Sequence, residues 1–444
     1  MRDQRREEST EKREERVKSG KSSLVSVFLV LLCAPVSSQD FTGDELLKPP
    51  DGVKAAVAKV APAVDLLMFK DLPVEKQTLW SSWGDGIVAS NGRYYAAIGD
   101  HRGKDATARV YEIDGKSMRM IVDVAKVIEQ KPGAYGHGKI HAALHEYDGA
   151  LWFSTYWGKP REIDWSGEYQ GSILLRYDLK TEKVENLGVI APKRGLPAST
   201  FDAERGLIYW HAVTAAEDAG ADELLVYDVK ARKVIFQGGG EILDGKRAFL
   251  RDLKGRVWLS TKEGGLAFFD PSTNKLERTD VKLPENDGGK RGADVRAAAR
   301  PLKSGVILGM TAAGRLFSFD PEKREVKDLG PNFGDGDYTA VMALSPDEKF
   351  VYFVPGAHGS SSKSGTPVVQ FDVASGARKV IAFLNEAVRR RLKYNLGGTY
   401  NLQIDASGGR LFITFNGAPL ADAKKVEAFG APCVVVVTIP KEER

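Results

Sequence analysis

The chain has 444 residues, 42% hydrophobic and 28% charged, which is enough to bury a large core and excludes a disordered chain. Its 64 basic and 60 acidic residues leave a formal charge of +4, so the global balance calls for neither nucleic acid nor an anionic membrane as partner. With 46 glycines, six methionines and aromatics in short alternating runs, the composition points to many strands and turns and argues against an all-helical protein.

Residues 24–34 (LVSVFLVLLCA) form one apolar stretch, preceded by Lys18 and Lys21 and followed by the small residues Val36, Ser37 and Ser38. A basic flank, a short apolar run and a cleavage-like site read as a secretory signal; an uncleaved anchor is the alternative. Residues 1–39 are therefore assigned to a signal with a charged extension. The mature protein is expected to be secreted or periplasmic, with no membrane attachment after cleavage. Of the two cysteines, Cys33 would leave with the signal and Cys433 would remain alone, so neither a disulfide nor a thiolate metal cluster is expected.

Residues 40–78 form an N-terminal segment, and residues 79–444 carry a repeated pair of patterns. The first pattern is a turn and a strand: GRYYAAIG from Gly92, GALWFSTYW from Gly149, GLIYWHAV from Gly206, GRVWLSTK from Gly255, GVILGMTA from Gly305, KFVYFVPG from Lys349 and GRLFITFNG from Gly409. The second follows each: ARVYEID, ILLRYDL, LLVYDVK, LAFFDPS, LFSFDPE, VVQFDVA and VVVVTIP. Period-two alternation marks both as strands. A further strand precedes each first pattern and another follows each second one. The fold class is all-β: a seven-bladed β-propeller of four-stranded antiparallel blades, with strands A to D in each blade. The last blade lacks a fourth strand at the C-terminus, and PAVDLLMFK from Pro62 is the candidate to supply it and close the ring. One helical insertion is predicted near 383–393, where Leu384, Val388 and Leu392 recur at helical spacing and three arginines form a solvated face. A monomer is expected.

In an up-and-down meander the B-to-C loops and the loops entering strand A emerge on one face. Five of six histidines fall there: His101, His137, His141, His211 and His358; His145 lies within a strand A. The B-to-C loops of blades 4 and 5 are tight, whereas the long blade 2 loop carries Tyr156, Trp157, Arg161, Trp165 and Tyr169, which implies a walled cleft over blades 1 to 3. Aromatic faces stack on sugars and guanidinium pairs with carboxylate, so an anionic polysaccharide or oligosaccharide is the expected partner. Trp152 and Trp258 are expected to be packing residues.

The unit GKIHAALHEYDGALWFST, residues 138–155, resembles strands A and B of a catalytic blade in seven-bladed propeller polysaccharide lyases of the ulvan-lyase type. RAFLRDLKGRVW from Arg247 resembles another of their blades. The resemblance implies cleavage of a uronic-acid chain by β-elimination, with His141 as catalytic or orienting histidine and Arg247 on the substrate carboxylate. It departs after strand B, where Thr155, Tyr156 and Trp157 stand in place of a second histidine. Elimination needs a cation, a base and an acid. Arg247, Arg251, Arg161 or Arg296 are the candidate cations, His141 the base, and Tyr156 or His211 the acid; His101, His137, Trp157 and Trp165 complete the substrate-binding set. No cofactor is expected on this reading. Two other classes remain open. One is a non-catalytic glycan- or protein-binding propeller. The other is a metal-dependent small-molecule lyase or lactonase, with a divalent metal held by His101, His137, His141 and His211 and by Asp100 or Asp105.

Overall fold

The structure, a computed structural model, describes residues 43–69, 71–72, 80–115, 117–159, 163, 169–214, 222–243, 248–285, 293–419, 430 and 432–444. The expected export segment and the candidate residues Arg161, Trp165 and Arg247 lie outside the described residues. Among the described residues no helix is long and apolar enough to cross a membrane.

Seven four-stranded antiparallel sheets make a β-propeller. Blade 1 comprises Ile87–Val88, Tyr94–Gly99, Ala108–Asp114 and Ser117–Asp123, and blade 2 comprises His145–Tyr147, Ala150–Ser154, Gly171–Asp178 and Val184–Pro192. Blade 3 runs from Gly195–Asp202 to Lys233–Gly238, blade 4 from Leu250–Arg251 to Lys275–Lys282, blade 5 from Val295–Ala298 to Glu325–Pro331, and blade 6 from Met342–Leu344 to Arg378–Phe383. Blade 7 takes three strands from the C-terminal end, Tyr394–Ile404, Arg410–Pro419 and Cys433–Thr438, and its outer strand, Ala63–Met68, from the N-terminal side. That outer strand pairs antiparallel with the last strand of the chain, Ala63 opposite Thr438 and Met68 opposite Cys433, so the ring closes without an open sheet edge at the chain ends.

The repeated aspartate that follows strand C has a local reason. Asp178, Asp228, Asp320 and Asp372 each accept the backbone N–H groups two and three residues on, at 2.8–3.1 Å, and so build the C-to-D turn with their own carboxylates. The aromatic just before each aspartate (Tyr177, Tyr227, Phe319, Phe371) is buried in a seam between blades, as is Phe269. Burying a large side chain of this kind contributes roughly 1.5–3 kcal/mol.

Each seam has its own apolar core. Tyr95, Val110, Leu151 and Leu175 fill the one between blades 1 and 2, while Trp152 and Trp210 meet between blades 2 and 3. Trp258 packs between blades 4 and 5. The closing seam, between blades 7 and 1, adds polar bonds to an apolar core of Tyr94, Phe412 and Val434. There Asn416 exchanges two hydrogen bonds with the backbone of Ser82 at 2.7 and 3.0 Å, and Tyr94 and Thr414 hydroxyls meet at 2.6 Å. The helical insertion is Leu384–Leu392. Its three arginines are exposed, as expected, and Arg390 and Arg391 both bond to Glu45 of the N-terminal segment.

Candidate functional site

The A strands line a central channel. One face of the ring carries the loops entering strand A and the B-to-C loops, and is called upper here; the chain descends the channel wall from it. The upper half of the channel is a cavity of about 160 Å³, to which all seven blades contribute, with Trp83, Asp85, His141, Ser199, Arg296 and Tyr400 on its wall. Below it a larger cavity of about 650 Å³ shares Asp85, Ser199, Thr200 and Phe249 with the upper one and adds His145, Glu146, Arg251, Arg300 and Asp405.

His141 is positioned by the extended segment 137–143. Its alternation turns Ile140 and Ala142 into the cores of neighbouring seams, and His141 lies on the channel side. His141 Nδ1 stands 2.7 Å from the carbonyl oxygen of Pro197. A carbonyl can only accept, so Nδ1 carries the proton and Nε2 is the basic nitrogen. Around this ring the structure gathers three of the expected site residues, Tyr156, Trp157 and His101, together with Trp83. Tyr156 packs edge-on against His141 at 5.3 Å between centroids, Trp157 lies 4.3 Å from Tyr156, and Trp83 stands 6.3 Å from His141 and 5.1 Å from His101. Lys139, two residues before His141 in the same segment, places its ammonium 4.0 Å from the centre of the Trp83 ring and is only 5% exposed. Burial, and then the charges of Lys139 and Lys159, push the His101 imidazole down to about 4.

The expectation of exposed stacking aromatics is corrected. Tyr156 and Trp157 are buried, because their rings pack on each other and over Gly195, where an added Cβ would lie 2.3 Å from Trp157 and 2.6 Å from Tyr156. His137 sits apart, with Nδ1 bonded to the Thr155 hydroxyl at 2.7 Å and its ring 4.5 Å from Tyr169; burial pushes it down to about 3. His211 is enclosed in the seam between blades 3 and 4, its ring edge-on to Phe249 at 4.4 Å, and burial pushes it too to about 3. It therefore does not stand on the wall of the cavity that His141 faces. Arg296 does. Its guanidinium bonds to the Tyr338 hydroxyl and to the Ala340 carbonyl, at 2.9 Å for the latter, so its charge is fixed in place. Arg251 lies in the lower cavity, since it ends a strand A, on the descending part of the wall.

The sequence reading missed Asp85 and Lys139. Asp85 accepts hydrogen bonds from Gly86 N–H at 3.0 Å, Leu402 N–H at 3.2 Å and Gln403 Nε2 at 2.8 Å, and burial outweighs these bonds, pushing its carboxyl up to about 7. The signal for it was the pair of flanking glycines. A Cβ at Gly84 would lie 2.5 Å from the His141 carbonyl oxygen, and one at Gly86 would lie 2.3 Å from that of Tyr95, so only glycine lets the chain carry the aspartate this close to blades 1 and 2. For Lys139 the signal was period-two spacing with His137 and His141.

Among the described residues no three His, Cys, Asp or Glu groups converge on a point that could hold a metal ion. Asp100 is spent on its own loop, accepting from the N–H groups of Arg102 and Thr107 and pairing with the Arg102 guanidinium at 3.2 Å. Asp105 accepts from Gly133 N–H at 2.6 Å.

No protein-family model and no curated protein sequence matches the chain. Its fold is similar to that of solved structures entitled "Structure of U3-55K" (TM-score 0.51, 10% identity, 85% of this chain and 98% of that one) and "Crystal structure of RRP9 WD40 repeats" (TM-score 0.50, 10% identity, 87% of this chain and 100% of that one). The second of these titles names WD40 repeats, and neither names a polysaccharide lyase. At this identity the likeness shows the fold alone.

Proposed function

We propose that the protein binds uronic-acid units of an anionic polysaccharide or oligosaccharide at the upper mouth of its channel and cleaves the chain by β-elimination. The observation that carries this reading is the bond from His141 to the Pro197 carbonyl, which reserves Nε2 as a proton acceptor beside a cavity whose wall also holds Arg296 and Asp85. In the proposed step His141 Nε2 takes the C5 proton of the uronate. The electron pair left behind forms the C4=C5 double bond, and the C4–O bond breaks. Arg296 stabilises the charge that builds on the carboxylate. Asp85, whose carboxyl burial pushes up to about 7, gives its proton to the leaving oxygen. Tyr156 replaces neither group in this scheme; packed against the imidazole, it holds His141 in orientation. Export through residues 1–39 belongs to the same proposal and rests on the apolar run at 24–34.

The test is to incubate the protein with a panel of uronic-acid polysaccharides, with and without chelator, and to follow the ultraviolet absorbance of the unsaturated product. A rise that survives chelation and disappears in His141→Ala supports the reading. A second reading, a binding propeller without chemistry, is favoured by the packed ledge of aromatic rings beside His141, where Lys139 lies over Trp83 and the Tyr156 and Trp157 rings meet at 4.3 Å. A flat trace across the panel with glycan binding retained would put that reading first.

A further inference from the structure

The lower cavity has a different charge pattern from the upper one. Among its carboxylates, Asp405 is neutralised by Arg410 at 2.9 Å, and Glu146 accepts from the backbone N–H and hydroxyl of Ser90. Asp85 is held by its three donors. Arg300 pairs with Glu348 at 2.9 Å and bonds to the carbonyls of Ser345 and Pro346. Arg251, half-buried on the same wall, is different: no hydrogen bond or ion pair among the described residues engages its guanidinium. Beside it in the seam between blades 3 and 4 lies Tyr209, whose buried hydroxyl also finds no hydrogen-bond partner among the described residues. The rest of the wall offers neutral polar groups. His145 Nε2 stands 2.7 Å from the Ser199 hydroxyl, Thr200 follows, and Phe201 and Phe249 supply ring surface.

We infer that the lower half of the channel is a second binding site, for a small polyhydroxylated carboxylate such as a sugar acid, anchored by Arg251. A guanidinium in a concave wall that no carboxylate among the described residues engages is complementary to a bidentate oxyanion. The Ser199, Thr200 and His145 groups suit ligand hydroxyls, because each can donate or accept, and an aromatic ring suits a sugar face. The volume of about 650 Å³ accommodates one or two sugar rings. Nothing in this inference depends on elimination at His141, which lies on the upper wall alone.

Calorimetric titration tests it, using glucuronate as probe and glucose, sulfate and phosphate as controls, against the full chain, Arg251→Gln, Arg251→Lys and His141→Ala. Glucuronate is expected to bind, glucose to bind at least about tenfold more weakly, and Arg251→Gln to weaken glucuronate by at least about tenfold, with Arg251→Lys between. The Arg251-dependent part of glucuronate binding is expected to persist in His141→Ala, because His141 lines the upper cavity and not the lower. Bound glucuronate should also protect Arg251 from phenylglyoxal, read by peptide mass spectrometry, which reports on the residue without any substitution. Absence of glucuronate binding, equal affinity in Arg251→Gln, or loss in His141→Ala with no loss in Arg251→Gln overturns the proposal. Sulfate or phosphate binding as tightly as glucuronate overturns the sugar-acid assignment.

Discussion

The two halves of the channel are built from the same seven A strands and differ in how far their polar groups are already committed. In the upper half His141 is held by Pro197, Arg296 by Tyr338 and Ala340, and the Tyr156, Trp157 and Lys139 ledge by mutual stacking. In the lower half the space is fourfold larger, about 650 against 160 Å³, and Arg251 is engaged by nothing among the described residues. Preorganised groups in a small cavity suit a reacting centre, where reorientation during the reaction would be costly. An open cavity with an uncommitted guanidinium suits equilibrium binding, because the ligand's carboxylate completes the pairing.

The largest effect should come from His141→Ala, which is expected to lower the elimination rate by about 10²–10⁴-fold while leaving glucuronate affinity in the lower half intact; loss of both together would break the division between the halves. Acid titration gives the next effect. His137, His145 and His211 are each pushed down to about 3 by burial, from an unfolded value of 6.5, so the unfolded chain binds more protons wherever the pH lies between these values. The stability these neutral rings contribute is present above pH 6.5 and is lost as the pH falls toward 3. His145→Gln, in the lower half, should remove about one of those three protons from the slope of stability against pH, measured by denaturant melts across that range.

Asp85 works in the opposite sense. Its folded value of about 7 lies above the unfolded 3.8, so its contribution is fully present below pH 3.8 and is lost as the pH rises through 7. Asp85→Asn should flatten the stability profile between those limits and, on the elimination reading, remove the alkaline limb of the rate profile. An unchanged limb would take the proton-donor role away from Asp85. The smallest effect is expected from Gly195→Ala. The new methyl displaces the Trp157 and Tyr156 rings at a cost of about 1–3 kcal/mol, weakening polymer binding in the upper half severalfold without changing glucuronate binding in the lower.

Much of this architecture was legible because its causes are local. A strand that buries one row of side chains in each seam needs period-two alternation, and the turn after strand C needs an aspartate that can receive two N–H groups, as Asp178 and Asp372 do. Topology placed His101, His141, Tyr156 and Trp157 on one face, and the structure brings them together. Which way each side chain points was less accessible. His211 and Arg251 both belong to strands near the channel, yet one is enclosed against Phe249 and the other lines the lower wall.

The amino-acid sequence by itself determined seven blades, their strand order and the face shared by His101, His141, Tyr156 and Trp157, since alternation and turn chemistry act over a few residues. The tertiary structure decided everything that depends on distance across the ring. It set the tautomer of His141 through a carbonyl 56 residues away, brought Gln403 onto Asp85 from the far end of the chain, and left Arg251 facing the lower cavity. Hydrogen bonds and burial energies fall off within a few ångströms, so the protonation and charge of these groups follow from neighbours that only closure of the ring supplies.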